Sequence, residues 1–555
     1  MKQKQKQKKS VMYIFLEGAA ALAVIMMLAI FPLYFQNNYI DMSNAKLNFF
    51  RVCSIGLVLA VIVFQGMDRL QQYKDGMQKK NKKRKPQAKS QDKPQIGKGE
   101  AVRAWLSGLS VTNWFAVVFV VGILVAVVFS VNPRESFLGL EGRKLGAIVW
   151  LLCIAFYGLV GRYLKCRKWM IWVFLAPNML VCLLAILNFW SVDLLGMYEN
   201  LSADQHGMFI STIGNVNACA GYLCMIVPVG MALYTLVKDK YLKIGCSAFL
   251  VLGFCAGYCT HSDSWILGLA TGFLVLLWFS MRDNAHMQKF LEVCGIFWIS
   301  SLLVKIALLI AASREFMNYM YASLSVDGFI NKIMLNGYVL ALEGILIAGL
   351  LFLVWNRKKS GKEFPYCMMR RVIFIVVAVL IVAAVVIFVA ANLHKGAWEG
   401  ALSALERLRL QDSWGSGRGY IWKTTVESWF KLPLWQKFTG YGVNCYHMFI
   451  NTYGGAEVLE FFGGAQLVDA HNELLQILTT MGILGAVGYF GLIIGTIVKS
   501  AKSVAAKPVM LLGVIVLFGY LAQALVNNPT VFLTPYLFLM LGMIKSMEKM
   551  EDATE

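Results

Sequence analysis

Residues 372–393 read VIFIVVAVLIVAAVVIFVAANL, an uninterrupted uncharged run. As a helix rising 1.5 Å per residue, it is long enough to cross a hydrocarbon core of roughly 30 Å. It shows no alternation of apolar and polar residues, so it does not fit a barrel strand. Runs of the same kind lie on both sides of it: 11–35, 49–67, 111–131, 144–163, 169–190, 218–237, 241–260, 264–281, 290–312, 333–355, 474–499, 508–526 and 531–544. With 58% hydrophobic and only 15% charged residues, the chain reads as an all-α polytopic membrane protein. The expectation is about 14 transmembrane helices, one large extracytoplasmic loop and both termini cytoplasmic.

A net charge of +21 raises the question of a polyanionic partner. The charge is grouped in blocks: Lys2 to Lys9 before the first run, Lys79 to Lys98 after the second, then Arg162 to Lys168, Lys238 to Lys243, Arg357 to Arg371 and Lys499 to Lys507. Counting spans from a cytoplasmic start puts every one of these blocks inside. This is the positive-inside pattern, and it argues against nucleic acid as a partner. The interval 394–471 holds seven Lys/Arg and seven Asp/Glu and falls outside.

The expected organisation is a basic cytoplasmic tail over 1–10, two transmembrane helices within 11–67, and a basic disordered cytoplasmic linker over 68–105. Helices 3–11 then occupy 106–393, the extracytoplasmic loop 394–471, helices 12–14 472–546, and a cytoplasmic tail 547–555. The first apolar run is too long for a cleaved signal and no small-x-small site follows it. Most of the 12 cysteines sit inside apolar runs as small hydrophobes, and no Cys/His spacing suggests zinc. No metal and no cofactor are expected.

The interval 394–471 is the longest outer segment with the mixed composition of a folded surface. Residues 401–410 suit a short helix. Residues 419–432 place Ile421, Trp422, Val426, Trp429 and Phe430 at near-helical spacing. Two readings of that helix stand side by side: a membrane-interface helix and part of the core of a small outer domain.

Gly417-Arg418-Gly419-Tyr420-Ile421-Trp422, Leu432-Pro433, Thr439-Gly440-Tyr441-Gly442, His471-Asn472-Glu473-Leu474-Leu475 and Gly482-Ile483-Leu484-Gly485 follow one another in this order. Upstream, Gly214-Asn215-Val216-Asn217 opens a span, and 520–529 lies in a late one. Together, from Ile213 to the C-terminus, they resemble the O-antigen ligase and polymerase superfamily. That resemblance implies a membrane glycosyltransferase of the bacterial plasma membrane. It would move glycan from an undecaprenyl-pyrophosphate carrier to a glycan or lipid acceptor on the outer face, without a metal. Its partners would be the lipid-linked donor, the acceptor and membrane lipids; polymerase and ligase share these motifs.

Within that reading Arg418 and His471 are the catalytic candidates. Arg418 offers a permanently charged fork for phosphate oxygens, doing the electrostatic work of a divalent ion. His471, with an ordinary pKa near ~6.5, suits a general base. Their alternatives are an ion pair with Asp412 or Glu427 for Arg418, and a helix-start residue for His471. Asn215, Asn217, Arg407, Arg409, Trp422, Asn472 and Glu473 are the candidate substrate contacts. Arg407 and Arg409 equally suit the solvated face of a short helix, and the two asparagines suit helix caps.

One departure stands out. His261-Ser262-Asp263-Ser264 places Asp263 where the family often has an arginine after a serine. His261, Arg134, Arg143 and Arg314 are the candidates to compensate. Lys305 and Glu343, on consecutive spans, are expected to pair with each other. Two rival functions remain beside the enzyme: a lipid-linked oligosaccharide flippase, for which no internal repeat speaks, and a non-catalytic assembly scaffold.

Overall fold

The computed structural model describes residues 11–82, 107–313, 329–393, 408–409 and 411–550. The first helices are α1 (Val11–Ile25), extended by one π turn over Met26–Ile30, and α2 (Met42–Lys82). Then come α3 (Val111–Val128), the short α4 (Pro133–Leu138), α5 (Ala147–Tyr163) and α6 (Met170–Phe189). Two-residue strands β1 (Phe209–Ile210) and β2 (Gly214–Asn215) pair antiparallel and lead into α7 (Val216–Leu236). The central segment comprises α8 (Lys240–Cys259), α9 (Asp263–Ser280), α10 (Asn284–Ser313), α11 (Phe329–Met334), α12 (Gly337–Lys359) and α13 (Tyr366–Leu393). Four short helices follow: α14 (Trp414–Lys431), α15 (Leu434–Thr439), α16 (Tyr446–Tyr453) and α17 (Glu457–Phe461). The chain closes with α18 (Glu473–Ser503), α19 (Leu511–Ala524) and α20 (Thr534–Met547).

Every apolar run in the sequence is helical, and among the described residues eleven helices are long and apolar enough to cross a membrane. α7 lies at the centre: apolar nearly all round, it is buried from Ala218 to Thr235. α13 is the opposite case, since of its 28 residues only Tyr366 and Ala391 are buried. α2 continues to Lys82, so residues 68–82 of the expected disordered linker are helical. The physical reason is composition: Lys, Gln and Met are good helix formers, and the first proline comes at Pro86. The helix expected over 401–410 lies mostly outside the described residues.

The segment after α13 builds a core of its own. Ile421, Leu432, Tyr446, Phe449, Ile450 and Val458 pack together, and Thr425 Oγ1 lies 2.6 Å from the Tyr446 hydroxyl. Of the two readings of the 419–432 helix, Ile421, Trp422 and Trp429 follow the small-domain one. Val426 and Phe430 instead face outward, next to Leu434, Trp435 and Phe438. The Trp435 ring lies 6.1 Å from Phe129, just past the end of α3.

This core, called the outer core after the side on which its segment is expected, is locked to the bundle by backbone. α18 is broken at Gly482, whose φ is +66°. At the break the Tyr441 and Gly442 N–H groups donate to the carbonyls of Thr479 and Thr480 at 2.9 and 3.1 Å. A helix interrupted inside a membrane protein is tolerable only when its freed polar groups are satisfied in this way. Both glycines at the crossing are required: a Cβ on Gly482 would overlap the Phe438 carbonyl, and one on Gly440, itself at φ +83°, would overlap that of Thr480.

Lys305 and Glu343 do not pair; no ion pair joins them among the described residues. The reason is helix rotation. Gly344 is the α12 residue that meets α10, against the Trp298 ring, whose Nε1 donates to Leu340 O at 2.7 Å. One position earlier, Glu343 points about 100° away.

Gly482→Ala is therefore expected to lower the melting temperature of the detergent-purified protein by several degrees, because the substitution adds strain worth about 1–3 kcal/mol at a positive φ before any overlap is counted. Gly56→Ala, in open space on α2, serves as the control and should leave it unchanged or slightly raised; equal behaviour of the two variants would remove the crossing as a structural determinant.

Candidate active site

His471 immediately precedes the first turn of α18, in a left-handed backbone conformation at φ +46°. Asp469, two residues earlier and 1% exposed, is the residue that holds it. The His471 N–H donates to Asp469 Oδ1 at 3.0 Å, and the imidazole Nδ1 lies 3.4 Å from the same oxygen. The other oxygen, Oδ2, accepts from Arg143 Nε at 2.6 Å and contacts Arg143 Nη2 at 2.5 Å. With Nδ1 turned to the carboxylate, Nε2 is the free edge of the ring.

Arg143 reaches this place because its loop is tied down on both sides. Buried Glu135 accepts the N–H groups of Leu140 and Glu141 at 3.2 and 3.1 Å. Asn444, from the outer core, donates to Glu135 Oε1 at 2.7 Å and to Glu141 O at 2.9 Å, and accepts from Leu145 N–H. Gly139 at φ +63° lets the chain double back so closely on Gly146 that neither has room for a side chain.

His471 and Arg143 line one cavity of about 280 Å³ together with Asn215, Asn217, Asn527 and Asn528. Tyr39, Phe209 and Phe532 supply its apolar side. Asn215 caps α7 by accepting the Asn217 N–H at 2.9 Å, and Asn217 Oδ1 accepts from Ser262 Oγ at 2.8 Å. The Asn528 amide nitrogen is buried with no partner among the described residues. Arg418 is not among the residues lining this cavity, although its charge acts on His471. Its Nη1 donates to Gly415 O at 3.1 Å, while Nε is buried and unpartnered among the described residues.

The charges interlock. Burial weakens the Arg418 guanidinium's hold on its proton, and Asp263 and Asp469 oppose that effect. Burial acts against the Asp469 carboxylate, but Arg143 and His471 outweigh it and hold the group below its usual range. His471 is pushed below the ordinary imidazole value by burial, with Asp469 resisting and Arg143 and Arg418 reinforcing the fall. The ring is therefore neutral at pH 7 and able to accept a proton.

Several expected contacts lie elsewhere. Glu473 does not reach the cavity: it is fully buried, accepting from the Tyr520 hydroxyl at 2.8 and 2.9 Å and from that of Tyr489. The first turn of α18 rotates it inward, away from His471. Asn472 caps α18 by accepting the Leu475 N–H at 3.0 Å, and it donates to Leu525 O. Trp422 packs on Trp414, ring centroids 5.4 Å apart, within the outer core. Arg409 donates to Ala391 O at the end of α13. Arg407 and Arg314 lie outside the described residues.

Arg418 takes Asp263 and Asp469 as its charged neighbours in place of Asp412 or Glu427. Of the cations named to compensate for Asp263, Arg143 is the one at the cavity. His261 is stacked on Phe189 at 5.3 Å, and burial lowers its pKa to about 4, so it supplies no charge at neutral pH.

Residues 333–490 match the family model described as O-Antigen ligase. That segment is similar to an O-antigen ligase domain. The match supports the superfamily resemblance and takes in Arg418, Asp469 and His471 as well as the Gly440–Gly482 crossing. Arg143, Asn215 and Asn217 come to the same cavity from outside the matched segment. No curated protein matches the chain.

Asp469 and His471 both make the fold sensitive to acid. Each has a folded-state pKa below its unfolded value, so the unfolded chain binds more protons and stability falls as pH drops through that window. The Asp469 contribution is lost only below the usual carboxylate range, so the interval from pH 7 to 5 reads His471: the melting temperature is expected to fall across it, and His471→Gln should remove part of that slope. An unchanged slope in the variant would show that the imidazole carries no such linkage.

Proposed function

We propose that this protein transfers glycan from a lipid diphosphate carrier, of the undecaprenyl-pyrophosphate class, to a hydroxyl of a glycan or lipid acceptor at the outer face of a bacterial plasma membrane. The match of residues 333–490 to an O-antigen ligase model supports a role in polysaccharide assembly at a membrane. The observation that carries the finer reading is the Arg143–Asp469–His471 chain on the wall of an asparagine-rich cavity, with the charge of Arg418 acting on His471.

In the proposed reaction His471 Nε2 takes the proton of the acceptor hydroxyl. The acceptor oxygen bonds to the anomeric carbon of the donor sugar, and the bond from that carbon to the diphosphate oxygen breaks, the electron pair leaving with the lipid diphosphate. Arg418 stabilises the charge that develops on the departing oxygens, the kind of term that usually dominates such catalysis. Asp469 orients the imidazole and stabilises it once protonated. Asn215 and Asn217 offer amides to sugar hydroxyls. The basic loops at the opposite end of the bundle support an outward placing of this cavity.

The test is turnover of lipid diphosphate-linked glycan by the purified full-length protein. His471→Ala is expected to lower the rate roughly 10²–10⁴-fold, and Arg418→Ala by about 10²–10³-fold. Because the His471 pKa is depressed, the wild-type rate should stay level from pH 8 to 7 and fall only at lower pH. Full turnover in both variants, or movement of the lipid across vesicles with no new glycosidic bond, would refute the mechanism, the second result pointing to a flippase.

A further inference from the structure

At the end of the bundle opposite the His471 cavity, α9, α10, α13 and the turn joining α18 to α19 enclose a second cavity, of about 510 Å³. One wall is apolar, with Trp278, Phe279, Pro508 and Leu511. Arg282, Arg370 and Lys502 also line it, and among the described residues no carboxylate does. Asp283 and Glu363, on the segments bearing this wall, are already engaged: Asp283 holds the His286 ring at 2.8 Å, and Glu363 accepts the Asn284 N–H at 2.8 Å.

Arg370 is fixed in place. One Nη donates to Met281 O at 2.9 Å, and the guanidinium lies 5.1 Å from the Trp278 ring centre. Its Nε is buried with no partner among the described residues. Neither Arg282 nor Lys502 has an ion-pair partner among the described residues. Arg282 and Lys502 keep their exposure to water, but the Arg370 Nε is buried without a partner among the described residues, and three cations converging on one partly apolar cavity make a site that an anion completes.

The apolar wall says what kind of anion. α13 is joined to the body here by the Tyr366 hydroxyl, which donates to Asn284 Oδ1 at 2.6 Å, and by Arg370. Nearly all of its other side chains are exposed and apolar, so along this flank the cavity opens to hydrocarbon. A soluble phosphate would satisfy the cations but leave Trp278, Phe279 and Leu511 uncovered. A phospholipid satisfies both walls, as basic clefts between membrane helices do.

We propose that this cavity binds one anionic phospholipid, its phosphate between Arg282, Arg370 and Lys502 and an acyl chain against Trp278 and Leu511. The site is independent of the glycan-transfer reading. The lipid would join α13, which leads into the outer loop, to the far end of the helix that follows His471.

The experiment titrates detergent-purified full-length protein with phosphatidylglycerol or phosphatidylcholine and reads bound lipid by native mass spectrometry. Phosphatidylglycerol should bind at one lipid per chain in preference to phosphatidylcholine. Combined Arg282→Gln, Arg370→Gln and Lys502→Gln should weaken phosphatidylglycerol roughly a hundredfold, and exposed Lys502→Gln alone, which disturbs no internal bond, roughly five-fold. Replacing Lys168, Lys238 and Lys240 by glutamine is the control for general attraction to a basic surface and should change little. Unaltered binding in Lys502→Gln, an equal loss in the control, or displacement of the lipid by millimolar glycerol phosphate would each overturn the proposal.

Discussion

Two backbone segments cross at Gly440 and Gly482, and the geometry of the candidate site follows from that crossing. Breaking α18 exposes the carbonyls of Thr479 and Thr480, and the Tyr441 and Gly442 N–H groups fill the vacancy. In a bilayer those carbonyls have no water to turn to, so the loop is held as firmly as a helix would be. The outer core is thereby registered against α18, whose first turn follows directly on His471. The same core sends Asn444 to Glu135 and Glu141, which fixes the loop bearing Arg143. Two segments far apart in sequence, the Arg143 loop and the stretch before α18, thus meet at one carboxylate, Asp469, without either belonging to a regular sheet or a continuous helix.

This arrangement explains what was legible in the sequence and what was not. Hydrophobic length is a one-dimensional signal, so all fourteen apolar runs could be read directly and all fourteen are helical. The glycine motifs could be recognised, but their reason, two backbones too close for side chains, is a property of the crossing alone. His471 was legible as a candidate. Its partner Arg143 stands 326 positions away from Asp469, and no local pattern joins them. Glu473 misled because adjacency in sequence suggests adjacency in function, whereas the first turn of a helix points its residues in different directions. Tyr489 and Tyr520, hydroxyls inside apolar spans, were the signal that a polar group had to be buried among them. Asn472 and Asn215 behaved as their residue type suggests at helix starts, where a side-chain oxygen serves a free N–H.

The charge balance of the site bears on how Asp263 can stand where an arginine might be expected. With His471 neutral, Arg143 and Arg418 face Asp263 and Asp469, so the resting site is compensated and stable without a ligand. An arginine at position 263 would leave three cations around one buried carboxylate, a surplus suited to waiting for a diphosphate but costly when empty. The present arrangement stores less positive charge. Under the proposed reaction Arg418 would have to exchange its carboxylate neighbours for phosphate oxygens, whereas Arg143 stays committed to Asp469 through two contacts to one oxygen. The two guanidinium groups therefore divide the work. Arg143 secures the base, and Arg418, with its buried Nε unpartnered among the described residues, has hydrogen-bonding capacity left for the donor.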